Sequence, residues 1–198
     1  MAERHSWDDV YEGNPPWDIG RPQKRFAELA RDGKLAGDVL DSGCGTGEHT
    51  LLAAQAGANA LGVDISARAV AMARQKAEER GVHAEFVCGS TLELERLGRH
   101  FDVVIDSGMF HVFDDADRTT YVASLAAAVR PGGKVYLMCF SDEQPGQLGP
   151  RRVAQAELRE AFAAGWVVES IEPAAFEVRH PELTTAKAWF ATIRREEA

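Results

Sequence analysis

The segment that most constrains how this chain can fold reads VLDSGCGTGE and covers residues 39–48. A short apolar run ends at Asp41, three glycines follow at alternate positions, and a helix-forming stretch begins at Glu48. Glycines at this spacing let the backbone turn tightly and approach a ligand closely. The segment therefore predicts a strand, a tight loop and a helix, the opening unit of an α/β sheet with a ligand site at the loop.

The segments that follow agree with that unit. After residue 38, short β-branched apolar runs alternate with alanine-rich helical stretches, which is the pattern of βαβ units and a mostly parallel sheet. This pattern predicts strands at 38–41, 58–64, 83–88, 101–106 and 133–140. Helices are predicted at 48–56, 66–80 and 114–129, with Ser66 as an N-cap, Gly81 at a helix end and a turn at 130–133.

The last part of the chain predicts a different arrangement. A loop at 141–150 leads to a helix near 154–164, and two long apolar segments follow at 166–178 and 187–194. The stretch between these two is too short for a helical crossover, so they should pair as an antiparallel hairpin at the sheet edge. The predicted fold class is α/β, with a Rossmann-like, doubly wound sheet of seven strands, mostly parallel with one antiparallel edge strand.

The length of 198 residues fits one domain of ordinary size. We expect a single domain over 1–198, in which an N-terminal leader at 1–37 precedes the α/β core at 38–198. The leader contains a proline-rich turn and a helix near 22–32.

Charge and cysteine content exclude several classes of function. The chain has 22 Lys and Arg residues against 31 Asp and Glu residues, a net charge of -9, which disfavours binding to a nucleic-acid backbone. Its three cysteines suggest neither a disulfide framework nor a zinc site, and we expect Cys44 and Cys88 to be buried. No apolar segment is long enough to span a bilayer. We therefore expect a cytoplasmic protein without a metal or a membrane partner, either a monomer or a homodimer.

The glycine loop also restricts the chemistry of its ligand. A dinucleotide-binding loop has the spacing GxGxxG, whereas this one is GxGxG, with Glu48 in place of the third glycine and Asp41 two residues ahead. Carboxylates would repel a pyrophosphate, but they suit a ligand that carries an ammonium or sulfonium cation. Asp64 ends the next strand about twenty residues later, a position at which an acid binds ribose hydroxyls.

Four segments in combination, DSGCGTG, VDIS, FDVVIDSG and RPGGKVYLM, make residues 38–194 resemble the class I S-adenosylmethionine-dependent methyltransferases. The resemblance implies S-adenosylmethionine as the cofactor, with Asp41 near its amino-acid end, Asp64 at its ribose and residues 89–91 beside its adenine. The predicted cofactor-binding residues are Trp17, Asp41, Gly43, Cys44, Gly45, Gly47, Asp64, Ile65, Ser90, Thr91 and Asp106.

Residues 104–113, VIDSGMFHVF, should lie where the methyl acceptor binds. This segment contains Asp106, the aromatic residue Phe110, and His111. We expect His111 to be the only histidine at this end of the site. Methyl transfer mainly requires proximity, and a base is needed only if the acceptor keeps its proton. Asp106 and His111 are the candidate catalytic residues. His111 is equally suited to act as that base, or instead to cap the following helix or to hydrogen-bond with the backbone in a half-buried turn.

The leader segment 7–22 resembles the opening of the thiopurine, thiol and halide methyltransferase branch. In that branch the segment folds over the cofactor and the substrate, which implies a cofactor contact for Trp17 and a lid role for Tyr11. The alternative is that these aromatic side chains only pack the leader onto the sheet.

A loop between the fifth strand and the next helix, residues 140–153, should border the acceptor site. Together with FDVVIDSGMFHVFDD, it resembles the bacterial heterocyclic toxin methyltransferases, which methylate O or N atoms of small heteroaromatic compounds. An arginine of this loop could hold an anionic ring oxygen, although arginines near a helix start are also typical of a solvated surface. The predicted substrate-binding residues are Tyr11, Phe110, His111, Arg118 and Arg152.

The leading function hypothesis is methyl transfer from S-adenosylmethionine to an O, N or S atom of a small, aromatic or heteroaromatic molecule. A methyltransferase acting on RNA or protein is the main alternative, and the net charge and the lack of an added recognition domain argue against it. The glycine spacing disfavours an NAD-dependent oxidoreductase. A protein that binds the cofactor without catalysis is the last alternative.

Overall fold

A computed structural model describes residues 7–197 of the chain, which form a seven-stranded sheet with helices on both faces. The strands are β1 (Asp38–Ser42), β2 (Asn59–Asp64), β3 (Glu85–Cys88), β4 (Phe101–Ser107), β5 (Val129–Phe140), β6 (Trp166–His180) and β7 (Leu183–Arg195). The helices are α1 (Trp7–Val10), α2 (Lys24–Arg31), α3 (Glu48–Gln55), α4 (Ala67–Arg80), α5 (Asp115–Ala128) and α6 (Gln155–Ala161), with a 3₁₀ helix at Thr91–Leu97. None of these helices is long and apolar enough to cross a membrane.

The strands follow the order β3-β2-β1-β4-β5-β7-β6. Neighbours from β3 to β5 run parallel, β7 pairs antiparallel with β5, and β6 pairs antiparallel with β7. The predicted fold class is confirmed. The single reversed strand is β7, which lies between β5 and β6, so the final hairpin forms the sheet edge with β6 outermost.

Local sequence signals place the ends of α4 correctly. The Ser66 hydroxyl accepts the N–H of Ala69 at 3.0 Å, which satisfies one of the free donors at the helix start. Gly81 ends the helix in the left-handed conformation, with φ of 62°.

The turn predicted at 130–133 is a bulge within β5. Val129 pairs with Phe101, but the next pair along the ladder joins Lys134 to Val103, so the intervening residues of β5 bow out of register. Strand β5 therefore begins earlier than the sequence pattern predicts, because a bulge absorbs the proline and two glycines without ending the strand.

Two apolar layers cover the faces of the sheet. Along β4, Val104 packs into the layer that contains α5 and α6, whereas Val103 and Ile105 pack into the layer that contains α2 and α3. A central strand buried on both faces is typical of a parallel sheet. The strand faces are thus occupied, and only the strand ends are open to a ligand.

The chain leaves the two central strands in opposite directions. From β1 it continues to β2 and β3 on one side, and from β4 it continues to β5 on the other. A crevice opens beyond the carboxyl ends of neighbouring strands where the order reverses in this way. The fold therefore places the glycine loop after β1 and the segment after β4 at the same crevice.

Gly62 in β2 shows how closely the helices pack on the sheet. A Cβ at Gly62 would lie 2.6 Å from Thr50 Oγ1 and 2.8 Å from Cys44 Sγ. We expect Gly62→Ala to lower the free energy of unfolding by about 1–3 kcal/mol, because these side chains must move. Gly89→Ala is the matched control, since its Cβ would meet only Val63, at 3.7 Å. Chemical denaturation of both variants measures the difference, and an equal loss in both would contradict the packing argument.

Candidate active site

A cavity of about 580 Å³ opens at the carboxyl ends of β1, β2 and β4. The glycine loop borders one end of the cavity, and the leader, the 141–150 loop and β6 enclose the remainder. Ten of the predicted site residues line it: Tyr11, Trp17, Gly43, Cys44, Gly45, Asp64, Ile65, Ser90, Thr91 and His111. The other predicted site residues lie outside its lining, namely Asp41, Gly47, Asp106, Phe110, Arg118 and Arg152.

The glycine loop is fixed to the end of β2 by its backbone. The N–H groups of Gly43 and Cys44 both donate to the carbonyl of Val63, at 2.8 and 2.9 Å. Gly43 has φ of 72°, a left-handed conformation that favours glycine. A Cβ at this position would also overlap the thioether of Met109. Glycine is therefore required here both by the backbone conformation and by the close approach of the segment after β4.

Asp64, at the end of β2, joins the glycine loop to the start of α4. Its Oδ2 accepts the N–H of Gly45 at 2.8 Å, and its Oδ1 accepts the N–H of Ser66 at 2.9 Å. The residue is 8% exposed, and burial raises the pKa of its carboxyl despite these two bonds. Because each carboxylate oxygen can accept a second hydrogen bond, Asp64 is able to bind hydroxyl groups of a ligand in the cavity.

Asp41 lies beneath the glycine loop and does not reach the cavity. Its Oδ2 accepts the hydroxyl of Thr50 at 2.7 Å, and its buried Oδ1 has no partner among residues 7–197. Burial raises the pKa of this carboxyl to about 7. Gly47 also serves packing, since a Cβ there would lie 2.8 Å from the Cβ of Ala73. Both residues support the loop from below.

The glycine loop offers little to a phosphate group. Four of its backbone N–H groups donate within the protein, those of Gly43, Cys44, Gly45 and Gly47. They therefore do not form a free nest for an anion. The buried carboxylate of Asp64, which has no cationic partner among residues 7–197, flanks the loop and would repel a pyrophosphate. The residues present fit a ligand with ribose hydroxyls and a cationic group, which are the groups that S-adenosylmethionine carries.

Glu48, which replaces the third glycine of a dinucleotide loop, belongs to a network of charged residues. Lys76 donates to its carboxylate at 2.8 Å, and Arg80 donates to both of its oxygens at 2.8 and 2.9 Å. Although burial acts to raise it, these bonds hold the pKa of Glu48 below its usual value. Lys76 also donates to the hydroxyl of Thr46, which donates to Asp18 of the leader. The network fastens the leader to the glycine loop.

Two aromatic residues of the leader lie against the glycine loop. Tyr11 is 7% exposed, and its Oη accepts a hydrogen bond from Trp17 Nε1 at 3.2 Å. A Cβ at Gly45 would lie 2.8 Å from the same oxygen. Asp8 fixes the start of the leader by accepting the hydroxyl of Ser66 at 2.6 Å. The leader thus covers the end of the cavity that contains Asp64.

His111 follows β4 and lies at the other end of the cavity. Its Nδ1 accepts the N–H of Phe140 at 3.0 Å. The ring contacts the rings of Phe140 and Phe176 edge-on, with centroid distances of 5.2 and 5.7 Å. Burial, together with the charges of Arg118 and Arg152, lowers the pKa of His111 to about 3. The imidazole is therefore neutral near physiological pH.

Aspartates perform the capping in this segment, which leaves His111 free of that role. Asp106 is fully buried and accepts the N–H groups of Met109 and Phe110 at 2.7 and 3.2 Å. Burial raises the pKa of its carboxyl to about 7. Asp114 caps α5 by accepting the N–H of Asp117 at 2.9 Å. The structure therefore gives Asp106 a place in the turn after β4, away from the cavity.

Three predicted substrate contacts are turned into the protein. The Arg118 guanidinium lies 4.5 Å from the ring centroid of the fully buried Phe110, and it pairs with Glu157 at 2.9 Å. Arg152 donates to four backbone carbonyls between 2.7 and 3.2 Å, those of Gln144, Gly146, Leu148 and Pro150. Arg118 and Arg152 stabilise the walls of the cavity from behind. Arg118 donates through Nε to the carbonyl of Phe110 and through Nη1 to Glu157, and Arg152 donates to the four carbonyls.

A family model described as a methyltransferase domain matches residues 39–133. The 2-heptyl-1-hydroxyquinolin-4(1H)-one methyltransferase of Mycobacteroides abscessus is 35% identical over 163 residues, which cover 81% of this chain and 72% of that protein. The chain belongs to the S-adenosylmethionine-dependent methyltransferases.

Two further proteins, one of them named as a methyltransferase, are similar to this chain. Probable thiol methyltransferase 2 of Arabidopsis thaliana is 29% identical over 153 residues, 74% of this chain and 67% of that protein. A solved structure described as "Conversion of a Disulfide Bond into a Thioacetal Group during Echinomycin Biosynthesis" has a TM-score of 0.86 and 36% identity, covering 96% of this chain and 91% of that one. The resemblance to the thiol methyltransferase branch is confirmed.

The sequence patterns miss several residues of the cavity wall in this methyltransferase. Met109, Phe113, Phe140 and Phe176 all line the cavity. Met109 and Phe113 lie within the quoted segment after β4, but no motif distinguishes them from core residues. Phe176 comes from β6, and only the sheet order brings that strand to this site. The clearest signal that could have found Phe140 is its position at the end of β5.

The expectation that Cys88 is buried is wrong, and His49 and His180 line the cavity besides His111. The Nε2 of His49 accepts the N–H of Gln23 at 3.1 Å, which joins α3 to the leader. Cys88 is exposed at the edge strand β3, since no strand covers it on that side.

The position of Asp64 predicts a specific loss of cofactor affinity. We expect Asp64→Ala to weaken S-adenosylhomocysteine binding by about 100-fold or more, because charged hydrogen bonds contribute about 1.5–3 kcal/mol each and the Gly45 contact is lost too. Isothermal titration calorimetry measures the dissociation constant. His111→Ala is the control and should retain affinity. Unchanged affinity in the Asp64 variant would contradict the assignment.

Burial of a neutral His111 predicts a pH-dependent stability. The usual pKa of histidine is 6.5, and burial lowers the pKa of His111 to about 3. Between these two pH values the unfolded chain binds a proton at this residue that the folded protein does not bind. The contribution of His111 to the free energy of unfolding therefore falls as pH decreases. From pH 7 to pH 5 the wild type should lose about 2 kcal/mol more than His111→Phe. Urea denaturation at both pH values measures this. The exposed His100→Phe is the matched control and should follow the wild type, whereas parallel pH curves for wild type and His111→Phe would refute the assigned burial.

Proposed function

We propose that this methyltransferase transfers a methyl group from S-adenosylmethionine to an O, N or S atom of a small, aromatic or heteroaromatic molecule. The observation that carries this proposal is the form of the cavity around His111. Its walls are aromatic there, since the rings of Phe140 and Phe176 contact the imidazole, and protein segments enclose the cavity from several sides. Such a space suits a flat ring and gives a macromolecule little room.

The end of the cavity at the glycine loop would hold the cofactor. Asp64 would accept the ribose hydroxyls, and Ser90 and Thr91 would border the adenine. Gly43 and Gly45 allow Met109 and Tyr11 to approach the loop closely, and Trp17 lines the cavity from the leader. When bound, the cofactor supplies a methyl group on a cationic sulfur. The leader and the 141–150 loop would exclude water from the site.

The chemistry of the acceptor is indicated by the side chains at the cavity mouth and by one relative. Several exposed apolar side chains surround the cavity mouth: Trp7, Trp17, Ile65, Val112 and Leu148. They would accommodate an apolar substituent on the ring. The relative from Mycobacteroides abscessus is named for a quinolinone that carries a heptyl chain and a hydroxyl group, which supports an acceptor of similar polarity.

The remaining features of the proposal follow from composition and placement. The net charge of -9 argues against RNA as the acceptor. We propose that residues 1–198 act as one domain in the cytoplasm, without a metal or a membrane partner, as a monomer or a homodimer. In this arrangement residues 1–37 would cover the site in the core at 38–198.

A panel of acceptors tests the function directly. The purified protein is incubated with labelled S-adenosylmethionine and with thiophenols, hydroxyquinolines, phenols, N-heterocycles or total RNA. We expect label in at least one ring compound and none in RNA, because the cavity is enclosed and the chain is acidic. Asp64→Ala should lose this activity and His100→Phe should retain it. Label in RNA alone would overturn the proposal, and tight cofactor binding without any product would indicate a non-catalytic binder.

A further inference from the structure

The two ring nitrogens of His111 have different roles. Nδ1 accepts the backbone N–H of Phe140, so it carries a lone pair and no proton. In a neutral imidazole the proton is then on Nε2. The rings of Phe140 and Phe176 hold the imidazole edge-on and fix its orientation. The tautomer is therefore set by a backbone bond and by packing.

Nε2 is directed away from protein partners. No residue among 7–197 accepts a hydrogen bond from it, although His111 lines the cavity. Gly108 leaves space beside this nitrogen, since a Cβ there would lie 3.2 Å from it. His111 consequently offers one N–H donor to a molecule in the cavity, and it offers that molecule no lone pair.

A second proton on His111 is opposed from two sides. It would have to occupy Nδ1 and so would break the bond from Phe140. Arg118 of α5 and Arg152 after β5 are the charged groups that act on the ring, while β5 and β6 contribute the apolar rings of Phe140 and Phe176. Burial and these two charges lower the pKa of the imidazole to about 3. The titratable side chains of Asp117 and His180 line the same cavity.

The positive charge of Arg152 has no anionic partner in the described chain. Arg118 pairs with Glu157, whereas Arg152 donates its hydrogen bonds to backbone carbonyls of the 141–150 loop. Its guanidinium carbon lies 5.3 Å from the ring centroid of Phe140, the residue that fixes His111. An anion in this part of the cavity would therefore be stabilised by the charge of Arg152 behind the wall and by an N–H donor in front.

We infer that His111 is a hydrogen-bond donor to the acceptor atom and that the enzyme binds its acceptor already ionised, as an aromatic oxyanion or thiolate. This inference rests on the proposed function. The acceptor loses its proton to water before it binds. Its lone pair then forms the bond to the methyl carbon, and the electrons of the broken carbon–sulfur bond remain on sulfur, so no base is required. The substrate class is acidic hydroxy-heteroaromatics, phenols and aryl thiols, and alkyl alcohols are excluded.

The ionisation state of a bound acceptor tests the inference without turnover. The probe is 4-nitrophenol, whose anion absorbs visible light and whose neutral form does not, added to protein saturated with S-adenosylhomocysteine. We expect its pKa to be lower by one unit or more when bound than in water, a tenfold preference for the anion. His111→Phe keeps the packing but removes the donor, and it should abolish most of this shift. His111→Gln retains an N–H donor and should keep part of it, while His100→Phe should match the wild type.

The pH dependence of kcat/KM for two methylated acceptors of different acidity gives a second readout. The rate should increase with pH up to the aqueous pKa of each acceptor, so the break moves with the compound. If the pH profile breaks at the same pH for all acceptors and this break disappears in His111→Phe, His111 acts as a base and the inference is overturned. Binding of 4-nitrophenol with an unchanged or raised pKa would also overturn it. In both cases the proposed function would stand. If 4-nitrophenol does not bind and no panel compound is methylated, the proposed function fails and the inference fails with it.

Discussion

The carboxylate of Asp64 is the interaction on which the rest of the site depends. Its two oxygens accept backbone N–H groups from the glycine loop and from the start of α4, and the Ser66 hydroxyl beside it donates to Asp8 of the leader. Three segments that are distant in sequence therefore meet at the end of β2. Because burial disfavours the charge of this carboxylate, hydroxyl groups of a ligand that donate to it would reduce that cost as well as gain binding.

Charged side chains behind the apolar walls determine the chemistry of the opposite end. The guanidinium of Arg152 organises the 141–150 loop by donating to four carbonyls, a task that suits its fixed fork of donors. The same cation, with Arg118, opposes protonation of His111. A Lys in place of Arg152 would retain the charge but could not bridge the same set of carbonyls. Loop shape and electrostatics are thus coupled through one residue that does not line the cavity.

The sequence predicted the sheet and the cofactor end of the site more fully than the acceptor end. Asp41, the glycines and Asp64 occur within one βαβ unit, so their spacing and the strand order were enough to place them near one another. Ser66 and Gly81 likewise act over one helix, where local rules hold. Phe176 and His180 come from β6, and Arg152 turns inward to donate to carbonyls of the preceding loop. These placements depend on tertiary packing, which a local sequence pattern does not predict. The tautomer of His111 depends on one backbone N–H of β5, which has no sequence signal at all.

The two ends of the cavity differ in charge, and this difference bears on which acceptors react well. Carboxylates lie near the glycine loop, whereas an N–H donor and an arginine cation lie near the aromatic walls. A cationic methyl donor would be bound at the end that carries carboxylates, and an anionic acceptor at the end that carries the N–H donor and the arginine cation. Their reaction gives two neutral products, and removal of charge is favoured where water is excluded and the effective dielectric constant is low. A neutral acceptor would gain no such advantage, because its reaction only moves the positive charge from one partner to the other.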